Sequence, residues 1–317
     1  MTVALITGVT GQDGSYLAER LVADDVEVHG LVLDERELAA VAPGITTYLG
    51  DLGDPERIAA VINAVAPDEI YNLGGISSVA FSWEQPVLTG QVSGLGAVGV
   101  FDAAWRLQES TGCQVRVVQA SSAEIFGIPD RTPQDEATSI RPVNPYGAAK
   151  AFAHLSAANY RARGLHVATC VLYNHESPRR PESFVTRKIT AGAARIANSG
   201  GVLAMGNLDA RRDWGWAPDY VDALVRAMRH ETADDFVIAT GVTHSVAEFV
   251  AVAFARVGID DWQAHIEIDP RFVRPLEAAT QVGDPSKAEH MLGWRRVVEF
   301  DELVGRMVDH DVALLRQ

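Results

Sequence analysis

The chain passes directly from an apolar run, Val3 to Thr7, into Gly8-Val9-Thr10-Gly11-Gln12-Asp13-Gly14, and then into a helical pattern that sets Leu17, Leu21 and Val22 on one face. Strand, glycine turn and helix in that order admit few architectures. Glycines at such a bend let backbone approach a pyrophosphate lying on the helix N-terminus, where unpaired N–H groups and the helix dipole favour anions. The spacing here is GxxGxxG rather than the commoner GxGxxG. Gly8, Gly11, Gln12, Asp13 and Gly14 are therefore the first candidate cofactor contacts.

The same alternation continues downstream. Val26 to Leu33 reads as a second strand, with Asp34 at its tip, twenty residues beyond Gly14, where a carboxylate meets an adenosine ribose diol. Ile45 to Leu49 reads as a third strand ending at Asp51 and Leu52. A helix follows over about Pro55 to Val65, and a fourth strand covers Glu69 to Leu73. A long helix over roughly Pro86 to Gln108 leads to a strand at Gln114 to Gln119. A sixth strand spans His166 to Leu172 and a seventh returns at Phe236 to Thr240. Such spacing predicts an α/β fold of the Rossmann type, a doubly wound parallel sheet of about seven strands with ligands outside its carboxyl ends. Asp34, Asp51, Leu52 and Leu73 join the candidate cofactor contacts on that ground. Residues 1–173 form the expected dinucleotide-binding domain, joined by the returning strand near 235–240, and residues 174–317 a smaller mixed α/β part that binds substrate.

Chemistry is expected where the fifth strand empties into Ser122 and Glu124, a hydroxyl and a carboxylate at a strand end; a helix cap is the alternative for Ser122. The second element is Asn144-Pro145-Tyr146-Gly147-Ala148-Ala149-Lys150. Asn144 suits an N-cap and Pro145 the first turn, so Tyr146 and Lys150, four apart, share a helix face. An ammonium beside a phenol favours the phenolate, which predicts a Tyr146 that takes a hydroxyl proton well below its usual pKa of about 10.

Composition narrows the partners. Of 317 residues, 42 are acidic and 27 basic, a net charge of -15 that argues against nucleic acid and anionic membranes, and no apolar run reads as membrane-spanning. Two cysteines, Cys113 and Cys170, and the lack of a basic leader before Val3 give the expectation of a cytoplasmic protein. In a chain this acidic, Arg187, Lys188, Arg211, Arg212 and Arg274 read as a cluster for a diphosphate. Trp214 and Trp216 read either as a stacking platform or as packing between the two parts. His175 has no second ligand at metal spacing, so no metal is expected.

Long stretches of the chain resemble a known family, the extended short-chain dehydrogenase/reductases, and within them the GDP-mannose 4,6-dehydratases. They are Ala4 to Glu19, Leu172 to Arg180, Phe184 to Thr190, Gly206 to Gly215, Arg274-Pro275 and Gly283 to Ala288. The resemblance implies an NADP-dependent lyase acting on a GDP-linked hexose. It also implies a triad of Ser122, standing where the family usually has threonine, with Tyr146 and Lys150, and Glu124 as the catalytic carboxylate. Ser78, Asn174, Val185, Lys188, Arg212, Arg274 and Glu277 fall on the nucleotide-sugar pocket. Two positions depart from the family. Leu33-Asp34-Glu35-Arg36 replaces an arginine pair and serine-rich loop that hold an NADP phosphate and help build a tetramer, so NAD and a homodimer are the expectations here. Ser78 stands where a histidine is usual, in a turn facing the sugar. Rival readings are a nucleotide-sugar 4-ketoreductase or epimerase of the same superfamily, and a dinucleotide-binding sensor without chemistry.

Overall fold

The computed structural model describes residues 1–272 and 280–316. Seven parallel strands form one sheet in the order β7-β6-β5-β4-β1-β2-β3: β1 Val3–Thr7, β2 Glu27–Val32, β3 Thr46–Leu49, β4 Glu69–Asn72, β5 Arg116–Ser122, β6 His166–Leu172 and β7 Asp235–Ile238. The order reverses between β1 and β4, and that switch point opens a crevice at the strands' carboxyl ends. Strand β5 runs further than its apolar pattern suggests, because Ser121 and Ser122 pair with Val171 and Leu172 of β6. Ser122 is thus the last residue of the strand.

Helices cover both faces. On one, α1 (Gln12–Ala23) and α6 (Ala217–Arg229) pack over Ile6, Leu17, Val118 and Leu224. On the other, α2 (Pro55–Val65), α3 (Pro86–Thr111) and α4 (Pro145–Ala162) enclose Leu5, Ile58, Ile70, Phe101 and Val117. Local chemistry starts them: Asp54 accepts the Arg57 N–H at 3.0 Å ahead of Pro55, and Asn144 accepts the Gly147 N–H at 2.8 Å ahead of Pro145. The second part adds α5 (Val185–Ser199), α7 (Val246–Arg256) and α8 (Phe300–Leu314) around a third core of Ile189, Trp214, Phe249, Phe254 and Leu303. The division between the parts is not one cut, since α6 and β7 return to the sheet.

Helix α3 differs from its sequence reading. Its 26 residues are long and apolar enough by length and composition to cross a membrane, where no run of that length was expected. Half of its apolar stretch is buried in the molecule, the ordinary setting of a core helix. A π-helical segment, Gly90–Leu95, interrupts it, and Ser93 Oγ there accepts the Ile76 N–H at 2.9 Å, pinning the loop after β4.

Candidate active site at the carboxyl edge of the sheet

The glycine turn has the form that an anion needs. Gly8 takes φ 70°, and Gly14 lies so close beneath it that a Cβ there would stand 2.1 Å from the Gly8 carbonyl oxygen. Gly11 caps α1 without any side-chain acceptor, so the first-turn N–H groups at Gln12, Asp13 and Gly14 face the crevice. The side chains of Gln12 and Asp13 are engaged within the protein. Gln12 Nε2 donates to the His175 carbonyl at 3.0 Å and its Oε1 accepts the Ser177 hydroxyl at 2.8 Å, while Asp13 Oδ2 lies 2.8 Å from His175 Nε2. They tie the turn to the strand Asn174–Glu176. His175 Nδ1 is 2.7 Å from the Tyr173 carbonyl, so both ring nitrogens face acceptors and the ring is held as an imidazolium. Burial opposes that charge, but the Asp13 carboxylate outweighs it and raises the His175 pKa; burial likewise pushes Asp13 up, and His175 holds it below the usual range.

At the far end of the crevice Asp34 stands two residues beyond β2. Its two oxygens accept the Arg36 backbone N–H at 2.8 Å and the Arg36 guanidinium at 2.5 Å, and these bonds draw its pKa down to about 2. Glu37, which sequence reading did not single out, accepts from the Thr10 hydroxyl and the Leu33 N–H, both at 3.3 Å, joining the glycine turn to the loop after β2. Asp51 accepts the Gly53 N–H at 2.8 Å and so shapes its own turn, and Leu52 is buried beneath Gly74 and Gly96. Leu73, half-buried, follows the end of β4.

The four expected catalytic residues converge. Ser122 Oγ accepts the Glu124 N–H at 3.2 Å, which caps the turn Ala123–Ile125 and also leaves the hydroxyl beside Tyr146. Glu124 Oε2 accepts from Asn144 Nδ2 at 2.6 Å. The expected effect of Lys150 on Tyr146 is corrected. Burial pushes Tyr146 up to about 12, with the Ser122 hydrogen bond lowering it, the Glu124 charge raising it and Arg180 lowering it. Lys150 Nζ instead donates to the Ala120 carbonyl at 2.9 Å and stands 5.9 Å from the Tyr146 ring centre, and burial draws its pKa down to about 8. Arg180, paired with the buried Glu176 at 3.3 Å and lying 3.7 Å over the Phe184 ring, also bears on Tyr146 and Asp13 through its charge. Sequence reading missed that role; no local spacing signals it.

The substrate-side residues divide. Asn174 begins the strand paired with Trp214–Trp216, next to the His175 that holds the glycine turn. Val185 opens α5, and Lys188, one turn on, sits 3.5 Å over the Phe272 ring. Arg212 is buried, its Nη1 on the Arg211 carbonyl at 2.8 Å. Ser78 serves as the N-cap of the helix Val79–Glu84, accepting the Phe81 N–H at 3.2 Å. Arg274 and Glu277 lie outside the described residues. The arginine cluster is smaller than expected. Arg187 is buried against Asp311 of α8, Nε to Oδ1 2.9 Å, because an unpaired charge at that depth is costly, and Arg211 turns to the Thr243 carbonyl at 2.9 Å and to Glu248. Trp214 packs on Phe249 and Phe300 with 2% of its surface exposed, which selects packing over stacking on a ligand. Among the described residues no three His, Cys, Asp or Glu side chains group as a metal site.

Comparison with known proteins agrees with this geometry. The family model described as GDP-mannose 4,6 dehydratase matches residues 5–307. The chain is 42% identical to GDP-mannose 4,6 dehydratase 1 of Arabidopsis thaliana, over 99% of this chain and 91% of that protein. It is 40% identical to the GDP-mannose 4,6 dehydratase of Homo sapiens, over 99% and 92%. Among solved structures it is similar to a UDP-glucose 4-epimerase of Thermotoga maritima with UDP-glucose, TM-score 0.89, 21% identity, covering 99% and 100% of the two chains. It is also similar to the Thermus thermophilus UDP-glucose 4-epimerase in complex with NAD, TM-score 0.84, 26% identity, 98% and 99% covered. A third neighbour is RMD of Pseudomonas aeruginosa complexed with NADPH, TM-score 0.81, 20% identity, 99% and 100% covered.

Proposed function

The chain belongs to the GDP-mannose 4,6-dehydratase family, and from that premise we propose that it converts GDP-mannose, or a close GDP-hexose, to the 4-keto-6-deoxy sugar. The observation that carries the reading is the placing of Glu124, a carboxylate one short turn beyond Ser122 and electrostatically coupled to Tyr146. A ketoreductase needs no such group, whereas water elimination does.

The glycine cradle and the uncapped start of α1 fit a nicotinamide dinucleotide, held by Gly8, Gly11, Gly14 and the first-turn N–H groups, with Lys150 at its ribose. Bound there, the dinucleotide would supply reversible hydride chemistry to the sugar with no net oxidation or reduction. Tyr146 removes the proton of the C4 hydroxyl, and Ser122 holds the same oxygen. The phenol does so against the pull of burial, with the Ser122 hydrogen bond first and the Arg180 charge after it working the other way. The C4 ketone acidifies C5–H. Glu124 takes that proton and passes it to the C6 hydroxyl, which departs as water, a base and acid role in turn, and the proton that Tyr146 took from the C4 hydroxyl balances the hydride returned at C6 by going to C5. Asn174, Val185, Lys188 and Arg212 are the proposed contacts of the nucleotide sugar.

The dinucleotide we favour is NAD. Asp34 and Glu37 both bring carboxylates to the end of the crevice, and Arg36 is already held by Asp34. A 2′-phosphate meets two acids there; a ribose diol meets acceptors.

We further propose a homodimer through α3 and α4. Val87 is 72% exposed, Leu95 58% and Leu155 56%, and with Phe152 they form an apolar outer surface on these two helices. A patch of that kind on paired helices suits a second copy across a twofold axis. The reduced Cys113 and Cys170 support a cytoplasmic setting.

The test of the reaction is Glu124→Gln. The amide keeps the shape and cannot carry the proton, so water loss from GDP-mannose, followed by mass spectrometry, falls by about 10²- to 10⁴-fold while substrate binding is kept. Dehydration at the wild-type rate overturns the assignment.

A further inference from the structure

We propose that Asn144 is a positioning residue for Glu124, fixing the carboxylate that moves the C5 proton to the N-terminus of the helix that carries Tyr146. The inference rests on the reading of Glu124 as base and acid. Asn144 is only 8% exposed, and both ends of its amide are committed. Its Oδ1 accepts the Gly147 N–H at 2.8 Å and its Nδ2 donates to Glu124 Oε2 at 2.6 Å. A backbone N–H can only donate, so the oxygen must face Gly147 and the NH₂ group must face Glu124; the amide has one orientation.

Helix capping alone does not account for asparagine. Serine and aspartate cap equally well. Neither keeps a permanent donor for the carboxylate. The contact orients the carboxylate through a neutral amide. Glu124 is further held from the other side, its N–H on Ser122 Oγ, and its backbone is pressed against α4, where a Cβ at Gly147 would stand 2.5 Å from the Glu124 carbonyl oxygen. Proton acceptor and proton shuttle therefore move as one rigid unit. Holding Oε2 leaves Oε1 for the transfer from C5 to the C6 oxygen.

Two variants of the full chain, assayed with GDP-mannose, test this. Asn144→Ser keeps the helix cap and removes the amide NH₂ group, leaving one shorter hydroxyl in place of two separate polar atoms. Its kcat falls about ten- to hundredfold with KM nearly unchanged, and the transient reduced nicotinamide forms and then persists, since oxidation precedes the slowed water loss. Asn144→Asp keeps the cap and sets a second carboxylate where the amide stood 2.6 Å from Glu124. Like charges that close share a proton, so the acid limb of the pH–rate profile moves to higher pH. Tyr146 and Lys150, at about 12 and about 8, affect only the alkaline side. A purely structural role moves neither the transient nor the acid limb. Wild-type kcat in Asn144→Ser overturns the inference, as does equal slowing of oxidation and water loss with an unmoved profile in Asn144→Asp. Glu124→Gln in parallel separates the two failures. If it is inactive while Asn144→Ser is not impaired, only the inference falls; if it eliminates water at the wild-type rate, the reading of Glu124 falls first.

Discussion

Asp34 and Arg36 lie two residues apart and satisfy one another, guanidinium to carboxylate, on the open surface at the end of β2. An exposed pair of this kind contributes little to stability, so a ligand can open it at small cost. What it controls is choice. With the Asp34 and Glu37 carboxylates in the loop after β2, the proposed preference predicts that NAD binds at least about tenfold more tightly than NADP in calorimetric titrations. Tighter NADP binding in wild type, abolished in Arg36→Ala, would show that Arg36 leaves Asp34 to take the phosphate. The residues that sequence reading missed or misassigned at this scale share one cause. His175 and Arg187 find their partners at Asp13 and Asp311, far away along the chain, and no spacing within a segment announces such a pair. Tyr146 and Lys150 were visible as a helical pair, yet burial, which the spacing does not encode, decides how the phenol titrates.

At the level of elements, the strand, turn and helix at the start of the chain are specified almost entirely by local sequence. Gly8 needs a positive φ, and Gly14 has no room for a side chain. Gly14→Ala is therefore expected to push α1 off the turn, lowering stability by about 1–3 kcal/mol in thermal denaturation and weakening dinucleotide binding beyond what the stability loss explains. Wild-type stability and affinity in that variant would mean that the turn relaxes freely. Helix starts were equally legible, since Asp54-Pro55 and Asn144-Pro145 carry their own capping chemistry. Less legible was where β5 stops. Its last residues, Ser121 and Ser122, are polar and look like loop, and only their ladder with β6 makes them strand. The π-helical segment in α3 was also hidden; its Gly94, against Ala149, fits a neighbouring helix that the segment's own sequence does not name.

For the whole molecule, the apolar outer face of α3 and α4 is the feature that the folded chain does not cover by itself. Leu155→Asp on that face is expected to halve the mass measured by light scattering while leaving the fold intact by circular dichroism. A wild-type protein that runs as a monomer at micromolar concentration, or a variant of unchanged mass, would exclude this dimer. Alternating strands and helices, the glycine turn and the capped Tyr146 helix determined the Rossmann architecture and the placing of Ser122, Glu124, Tyr146 and Lys150, because each depends on periodicity and backbone chemistry within a few residues. Tertiary structure decided the rest: that Arg187 pairs with Asp311 instead of a diphosphate, that Trp214 is core, that Gln12 and Asp13 lock the glycine turn to the second part, and that one amide joins Glu124 to the Tyr146 helix. Those outcomes turn on which buried charge meets which counter-charge and which side chain loses its water, and such energies arise only when distant segments are packed together.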